Sequence, residues 1–406
     1  MTPSRRAIWS WTGVMPLAII LVPAGGLGLA PMAGLLVLFA MPLKAAFGAL
    51  RKAGAPLIIS AITLGWICLT YLWSPYQLTD ELWKLGLLTP LFALVPLTAS
   101  QISAADRHQA RVVMVFVIIS VMLAMAMESL TLGDMTYSYK VDVEGYSGPR
   151  HLIHSAVDRV LSRGATPAMM MGGIVAIMLW ITGNRILRGI AAGLGVICTL
   201  IAFDFNVSAN GVAFIAAITV CALAARWPRQ ALPALLCAMA AIILFTPLIF
   251  WGALALTGDT VRSLLPLSWE WRLEIWSYAL NRASEQPITG LGLGASRAIN
   301  TETELRGMVI DLLPLHAHNA GMTIWLETGL IGAALISTSL LAIARAVARR
   351  TLSRPFVLML CWAITIWFVN ITVSYGVWQE WHHAALALSI AAAIVARPAG
   401  NLRQPA

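Results

Sequence analysis

Residues 318–344 read HNAGMTIWLETGLIGAALISTSLLAIA, a polar pair followed by an apolar run long enough to cross a hydrocarbon layer of roughly 30 Å as one helix. His318 and Asn319 are followed by nine residues and then by Gly329 and Gly332. An imidazole at the mouth of a membrane helix can take a proton near neutral pH, so His318 is a candidate base; the alternative is a helix-mouth histidine bonded to backbone. Comparable apolar runs recur along all 406 residues, which are 59% hydrophobic and 11% charged, with a mean hydropathy of +0.80. Soluble domains do not have this composition, and the short alternating segments of a β-barrel are absent. The sequence reads as one all-α polytopic membrane domain over residues 1–406.

The apolar pattern predicts about twelve transmembrane helices, near residues 8–24, 27–43, 55–73, 79–99, 111–130, 167–183, 189–204, 211–225, 231–255, 319–344, 355–373 and 383–396. Arg5 and Arg6 before the first run read as the flank of a retained helix. Alternate connections carry most of the 27 basic residues, among them Lys44, Arg107, Arg111, Arg226, Arg345 and Arg397, and share their side with one acid, Asp106. The positive-inside rule makes that side cytoplasmic and puts both ends of the chain there. The formal charge of +9 is accounted for by this bias, so it calls for membrane lipids and no nucleic-acid partner.

Two long connections lie on the other side, residues 131–166 and the larger 256–318. They hold Lys140, Arg150, Arg159, Arg163, Arg262, Arg272, Arg282, Arg297 and Arg306, with His151, His154, His316 and His318. Basic residues on the side where the rule predicts few point to function, although long loops also translocate regardless of charge. All five cysteines (Cys68, Cys198, Cys221, Cys237, Cys361) fall in apolar segments, and no zinc or calcium motif is visible, so chemistry without metal or cofactor is expected.

Within the larger loop, Ser268 can cap a helix through Leu280, with Trp269, Leu273, Trp276 and Leu280 on one face, the pattern of a helix lying in the membrane interface. Arg272 sits at the edge of that stripe. It can meet anionic headgroups or a pyrophosphate, or snorkel beside Glu270 or Glu274. Gly290, Gly292 and Gly294 turn the chain sharply, letting backbone approach the membrane core or a ligand. Elsewhere, Glu81 and Lys84 are spaced to pair, and Tyr375, Trp378, Trp381, His382 and His383 suit either an aromatic belt or a glycan-stacking platform.

Arg272, Trp276, Pro287, the three alternating glycines and the His318, Asn319, Gly329, Gly332 string together resemble the signature of the O-antigen ligase and polymerase superfamily, over residues 268–332. The resemblance implies a bacterial inner-membrane enzyme that moves a glycan from undecaprenyl pyrophosphate, at the periplasmic face, to lipid A core or to another carrier-linked glycan. It implies His318 as base, Arg272 as a pyrophosphate-binding arginine, and Arg163 (followed by Gly164 and Pro167) as a second one. Where the family often has Ser-Arg-Gly, this chain reads Ser208, Ala209, Asn210, Gly211, leaving Arg159 or Arg297 as possible substitutes. His316 reads as an acceptor-binding or a plain loop histidine, because Asn319 and the glycines register on His318. Asn319, Trp276, Arg159, His316 and Arg297 complete the expected substrate-binding set. The competing class is a transporter; the sequence has no internal repeat and concentrates its charges outside the apolar segments.

Overall fold

The computed structural model describes residues 2–52, 54–77, 82–181, 183–205 and 208–397, and these are almost entirely helical. The principal helices are α1 (Pro3–Val14), α2 (Leu29–Ala40), α3 (Ala55–Thr70), α4 (Thr89–Ser100), α5 (Arg107–Leu130), α6 (Arg150–Ile181), α7 (Arg185–Phe203), α8 (Ser208–Arg226), α9 (Pro228–Leu244), α10 (Leu267–Ala283), α11 (Ala320–Ala348), α12 (Arg354–Val373) and α13 (Glu380–Ala396). Glu81, expected to pair with Lys84, lies outside the described residues.

Among the described residues, seven helices are long and apolar enough to cross a membrane, or nine if two bent pairs each count as a span. The sequence predicts about twelve, and the difference has local causes. Leu29–Ala40 and Leu43–Arg51 meet at 93°, where Met41 takes a left-handed φ of 44° ahead of Pro42. Pro228–Leu244 and Thr246–Leu256 meet at 70°. The first apolar run is interrupted by a 3-10 turn at Met15–Leu17 that contains Pro16. Helix α13 has 17 residues, and at about 1.5 Å per residue it falls short of a full crossing.

The expected 131–166 loop is helical over much of its length. Asp134–Asp142 forms a helix, and α6 begins at Arg150 rather than near residue 167, so Arg159 and Arg163 are helical residues. Pro167 lies inside this helix without ending it. The other long connection holds α10 and a hairpin of β1 (Glu302–Leu305) with β2 (Met308–Asp311), a departure from an all-α fold that the sequence reading missed. Arg306 and Gly307 both have positive φ, 51° and 77°, as a two-residue hairpin turn with matching twist requires. An Arg306–Glu270 ion pair of 2.6 Å and a Trp271 Nε1 bond to the Asp311 carbonyl (2.7 Å) tie the hairpin to α10.

Helix α10 starts at Leu267 after Pro266 and has no side-chain cap, so Ser268 does not play the capping role expected of it. Part of its apolar face is covered by protein, while Trp269 and Leu280 stay half-exposed. Leu273, Ile275, Trp276, Ala279 and Ala283 pack with Leu313, Ala317, Met322 and Leu326 around the start of α11.

One end of the bundle gathers Ser4, Ser103 and Asp106 through hydrogen bonds of 2.9 and 2.7 Å to the Asp106 carboxylate. Arg111 reaches the Val395 carbonyl (2.9 Å) at that same end of α13. Glu380, at the other end of α13, lies where α12 finishes and the long connections fold back. The expected grouping of Arg107, Arg111 and Arg397 with the start of the chain is thus a grouping in space.

Candidate active site

The 316–319 segment is held from three directions. Trp276 Nε1 donates to the Ala317 carbonyl (3.1 Å), fixing the turn against α10. Asn319 caps α11: its Oδ1 accepts from the Met322 N–H (2.9 Å), and its backbone is extended. His318 lies between them with φ 52°, a left-handed conformation that costs a non-glycine residue on the order of 1–3 kcal/mol and persists only where surroundings impose it. Those surroundings are the His318 N–H bond to His316 Nδ1 (3.1 Å) and a 2.6 Å bond between His318 Nδ1 and the Ser374 carbonyl.

These two bonds assign opposite roles to the two rings. A carbonyl only accepts, so His318 carries its proton on Nδ1 and presents the Nε2 lone pair. His316 accepts at Nδ1, so it carries its proton on Nε2 and is a donor. The rings stand edge to face, 4.4 Å between centroids. Burial, then the neighbouring His318 and Arg297, push His316 down to about 3, which leaves it neutral and a poor base. Burial also lowers His318; the Ser374 carbonyl opposes this, and the Arg272 cation adds to it. Of the two, His318 is the ring whose remaining nitrogen is an acceptor, and His316 the one whose remaining nitrogen is a donor.

Arg272 is not paired with either expected acid. Glu274 is taken by Arg262 (2.5 Å) and Glu270 by Arg306 (2.6 Å). The Arg272 guanidinium instead donates to the Ser268 carbonyl (2.8 Å) and lies 5.2 Å from the centre of the Trp269 ring. Its Nε, and that of Arg163, are buried without a hydrogen-bond partner. Arg163 neighbours Tyr375, whose phenol is pushed up by burial against the opposing influence of Thr166, Ser162 and the Arg163 charge. Ser374 and Tyr375 are consecutive, so the turn between α12 and α13 that bonds His318 also carries the buried phenol on which the Arg163 charge acts.

The place of the missing family arginine is occupied by a fully buried Asn210. Its Nδ2 donates to the Ser162 carbonyl and its Oδ1 accepts from Thr166 Oγ1, both at 3.0 Å, which locks α8 to α6 on either side of Arg163. Of the other expected binding residues, Trp276 is buried against Phe250 and serves to support the turn. Arg159 is exposed and bonds within its own helix to Ser155 (3.2 Å), so it does not join this group. Arg297 stacks on Tyr76, 5.6 Å from the ring centre, and lines a cavity of about 50 Å³ with His316, Glu327, Gly376, Trp378 and Gln379. Trp381 and His382 are buried and His383 bonds to the Val377 carbonyl (2.6 Å), so these three pack the interior, while Trp378 is half-buried and lines the cavity.

The glycine turn packs on the break in α11, and its Gly294 also lines the cavity beside Arg297 and His316. Leu291 and Gly292 N–H groups donate to the Leu326 and Glu327 carbonyls (2.8 and 2.9 Å), where α11 is broken by Gly329 at φ 63°. Beyond the break, Leu330 and Ile331 N–H groups donate to Pro287 and Ile288 (2.8 and 3.2 Å), and Trp66 Nε1 donates to the Thr328 carbonyl (3.1 Å). The turn thus satisfies the backbone groups that the interrupted membrane helix leaves open. A residue missed by the sequence reading, Glu327, sits at this junction. A lone acid in a long apolar run was the signal that marked it.

Residues 194–337 match the family model described as O-antigen ligase. Proteins named as candidate polysaccharide ligases from Rickettsia typhi and Rickettsia prowazekii are each 30% identical over 114 residues, which is 27% of this chain and 28% of theirs. A namesake from Rickettsia conorii matches to the same extent. No solved structure gives a significant match.

Proposed function

We propose, from the match of residues 194–337 to the O-antigen ligase family model and the likeness to polysaccharide ligases, that the chain transfers a glycan from undecaprenyl pyrophosphate to a sugar hydroxyl of lipid A core. The reaction takes place at the periplasmic face of a bacterial inner membrane, with the Ser4, Asp106 and Arg397 end facing the cytoplasm. The observation that carries this reading is the Ser374–Tyr375 turn, which bonds His318 and carries the buried phenol on which the Arg163 charge acts, with Arg272 close enough to bias the imidazole.

In the proposed step, His318 Nε2 takes the proton of the acceptor hydroxyl as its oxygen bonds to the anomeric carbon. The bond from that carbon to the pyrophosphate oxygen breaks, and undecaprenyl pyrophosphate leaves. Guanidiniums of Arg163 and Arg272 hold the negative charge that develops on the leaving group; buried Nε–H groups with no protein partner suit that task. His316 Nε2–H and Arg297 line the acceptor side.

Reconstitution with an undecaprenyl-pyrophosphate glycan and either lipid A core or a second carrier-linked repeat tests the reading. His318→Ala should keep its membrane level and lose transfer by about 10²- to 10⁴-fold, the usual contribution of a general base. Undiminished transfer by the variant removes His318 from this role, and transfer to the carrier-linked repeat alone makes the protein a polymerase.

A further inference from the structure

Glu327 has no role in the chemistry above, yet it is fully buried within the broken helix α11, 1% exposed. Four donors converge on its two oxygens. Oε1 accepts from Ser296 N–H (3.3 Å) and Ser296 Oγ (2.6 Å), and Oε2 accepts from Gly294 N–H (2.8 Å) and Trp378 Nε1 (2.7 Å). A carboxylate has acceptors on both oxygens, whereas an amide turns one of them into a donor facing donors. The side chain therefore fastens three pieces of separate origin: the glycine turn that carries Arg297, helix α11 that begins behind His318, and the 374–379 turn.

That last turn supplies the Ser374 carbonyl to His318, and its Gly376 lies against the His316 ring, where an added Cβ would come within 2.9 Å. The cavity between these pieces has Arg297, His316, Gln379 and Glu327 on its walls. We propose that Glu327 is a positioning residue, a carboxylate clamp that sets the Arg297 and His316 wall against the Ser374 turn so that the acceptor meets His318 Nε2 in register. The proposal rests on the glycan-transfer reading of the same site. Arg163 and Arg272 are carried by α6 and α10, neither of which donates a hydrogen bond to Glu327, so donor binding is expected to depend on those helices and not on the clamp.

Two measurements test this. In the reconstituted transfer reaction, Glu327→Gln and Trp378→Phe should lower kcat, the former by about 100-fold, as misplacement of a reacting group by roughly 1 Å does, with donor KM unchanged. Trp378→Phe keeps most of the volume and removes one donor, so it reports on the clamp even if Glu327→Gln fails to fold. In parallel, Arg297→Cys and Gln379→Cys in a background with the five native cysteines replaced should cross-link readily, and adding Trp378→Phe or Glu327→Gln should slow the cross-link. If kcat or the cross-linking rate is the same with and without the clamp, the proposal is overturned. Should the unsubstituted protein transfer no glycan to either acceptor, the function proposed above falls, and the cross-linking rate alone decides for or against the clamp.

Discussion

The two halves of the site are built from opposite kinds of backbone. Arg163 sits on an uninterrupted 32-residue helix and is braced from the side by Asn210. His318, Arg297 and Glu327 depend on irregular backbone: a left-handed histidine, three positive-φ glycines and a helix broken at Gly329. The first half holds a charge at a fixed depth, which a stiff helix does well. The second brings His318, His316 and Arg297 from distant segments together, and irregular backbone at membrane depth survives only where other groups satisfy it.

The sharpest way to break this contrast is Gly292→Ala. Gly292 has φ 103° and its Cα lies against the Ser74 backbone, so a methyl group meets backbone that cannot swing away. Strain and overlap together should cost at least about 3 kcal/mol, seen as a loss of folded protein in membranes by fluorescence-detected size exclusion and a loss of transfer. A wild-type elution profile would mean that the irregular half is far more pliant than described. Asn210→Ala, in the regular half, should cost less, about 1–3 kcal/mol, because it strands the Thr166 hydroxyl while both helices remain continuous. Its melting temperature should fall, with transfer retained at permissive temperature; an unchanged melting temperature would show that the helix pair does not rely on it.

The smallest effect is on pH dependence. Transfer needs neutral His318, and burial and the Arg272 cation hold its pKa below the usual 6.5, so activity should persist beneath that pH and fall as pH drops through the lowered value. Removing the cation with Arg272→Gln should move the acid limb of the residual activity to higher pH. An unmoved limb would mean that Arg272 does not act on His318.

Helix existence was legible from local composition, and the His318, Arg272 and Arg163 candidates from their motif and placement. Less legible was the helical state of 150–166, where Arg159, Arg163 and neighbouring polar residues mask a helix whose apolar residues pack against the bundle. The packing of α10 was less legible for a related reason: an apolar stripe looks the same whether lipid or protein covers it. The hairpin escaped notice because β1 and β2 have four residues each and their pattern is short. Assigning Asn319 and Trp276 to substrate was equally open from sequence, since a cap or a supporting indole uses the same polar atom that a ligand would.

The sequence by itself determined that this is a polytopic helical membrane protein with a histidine and arginines gathered in its two long connections, because burial in lipid imposes an apolar length and charge bias that each segment carries alone. Tertiary structure decided which nitrogen of each histidine is engaged, which arginine escapes its neighbouring acids, and that Glu327 binds four donors. Those outcomes depend on Ser374, Arg262, Arg306, Gly294, Ser296 and Trp378, partners that folding alone brings within hydrogen-bonding distance.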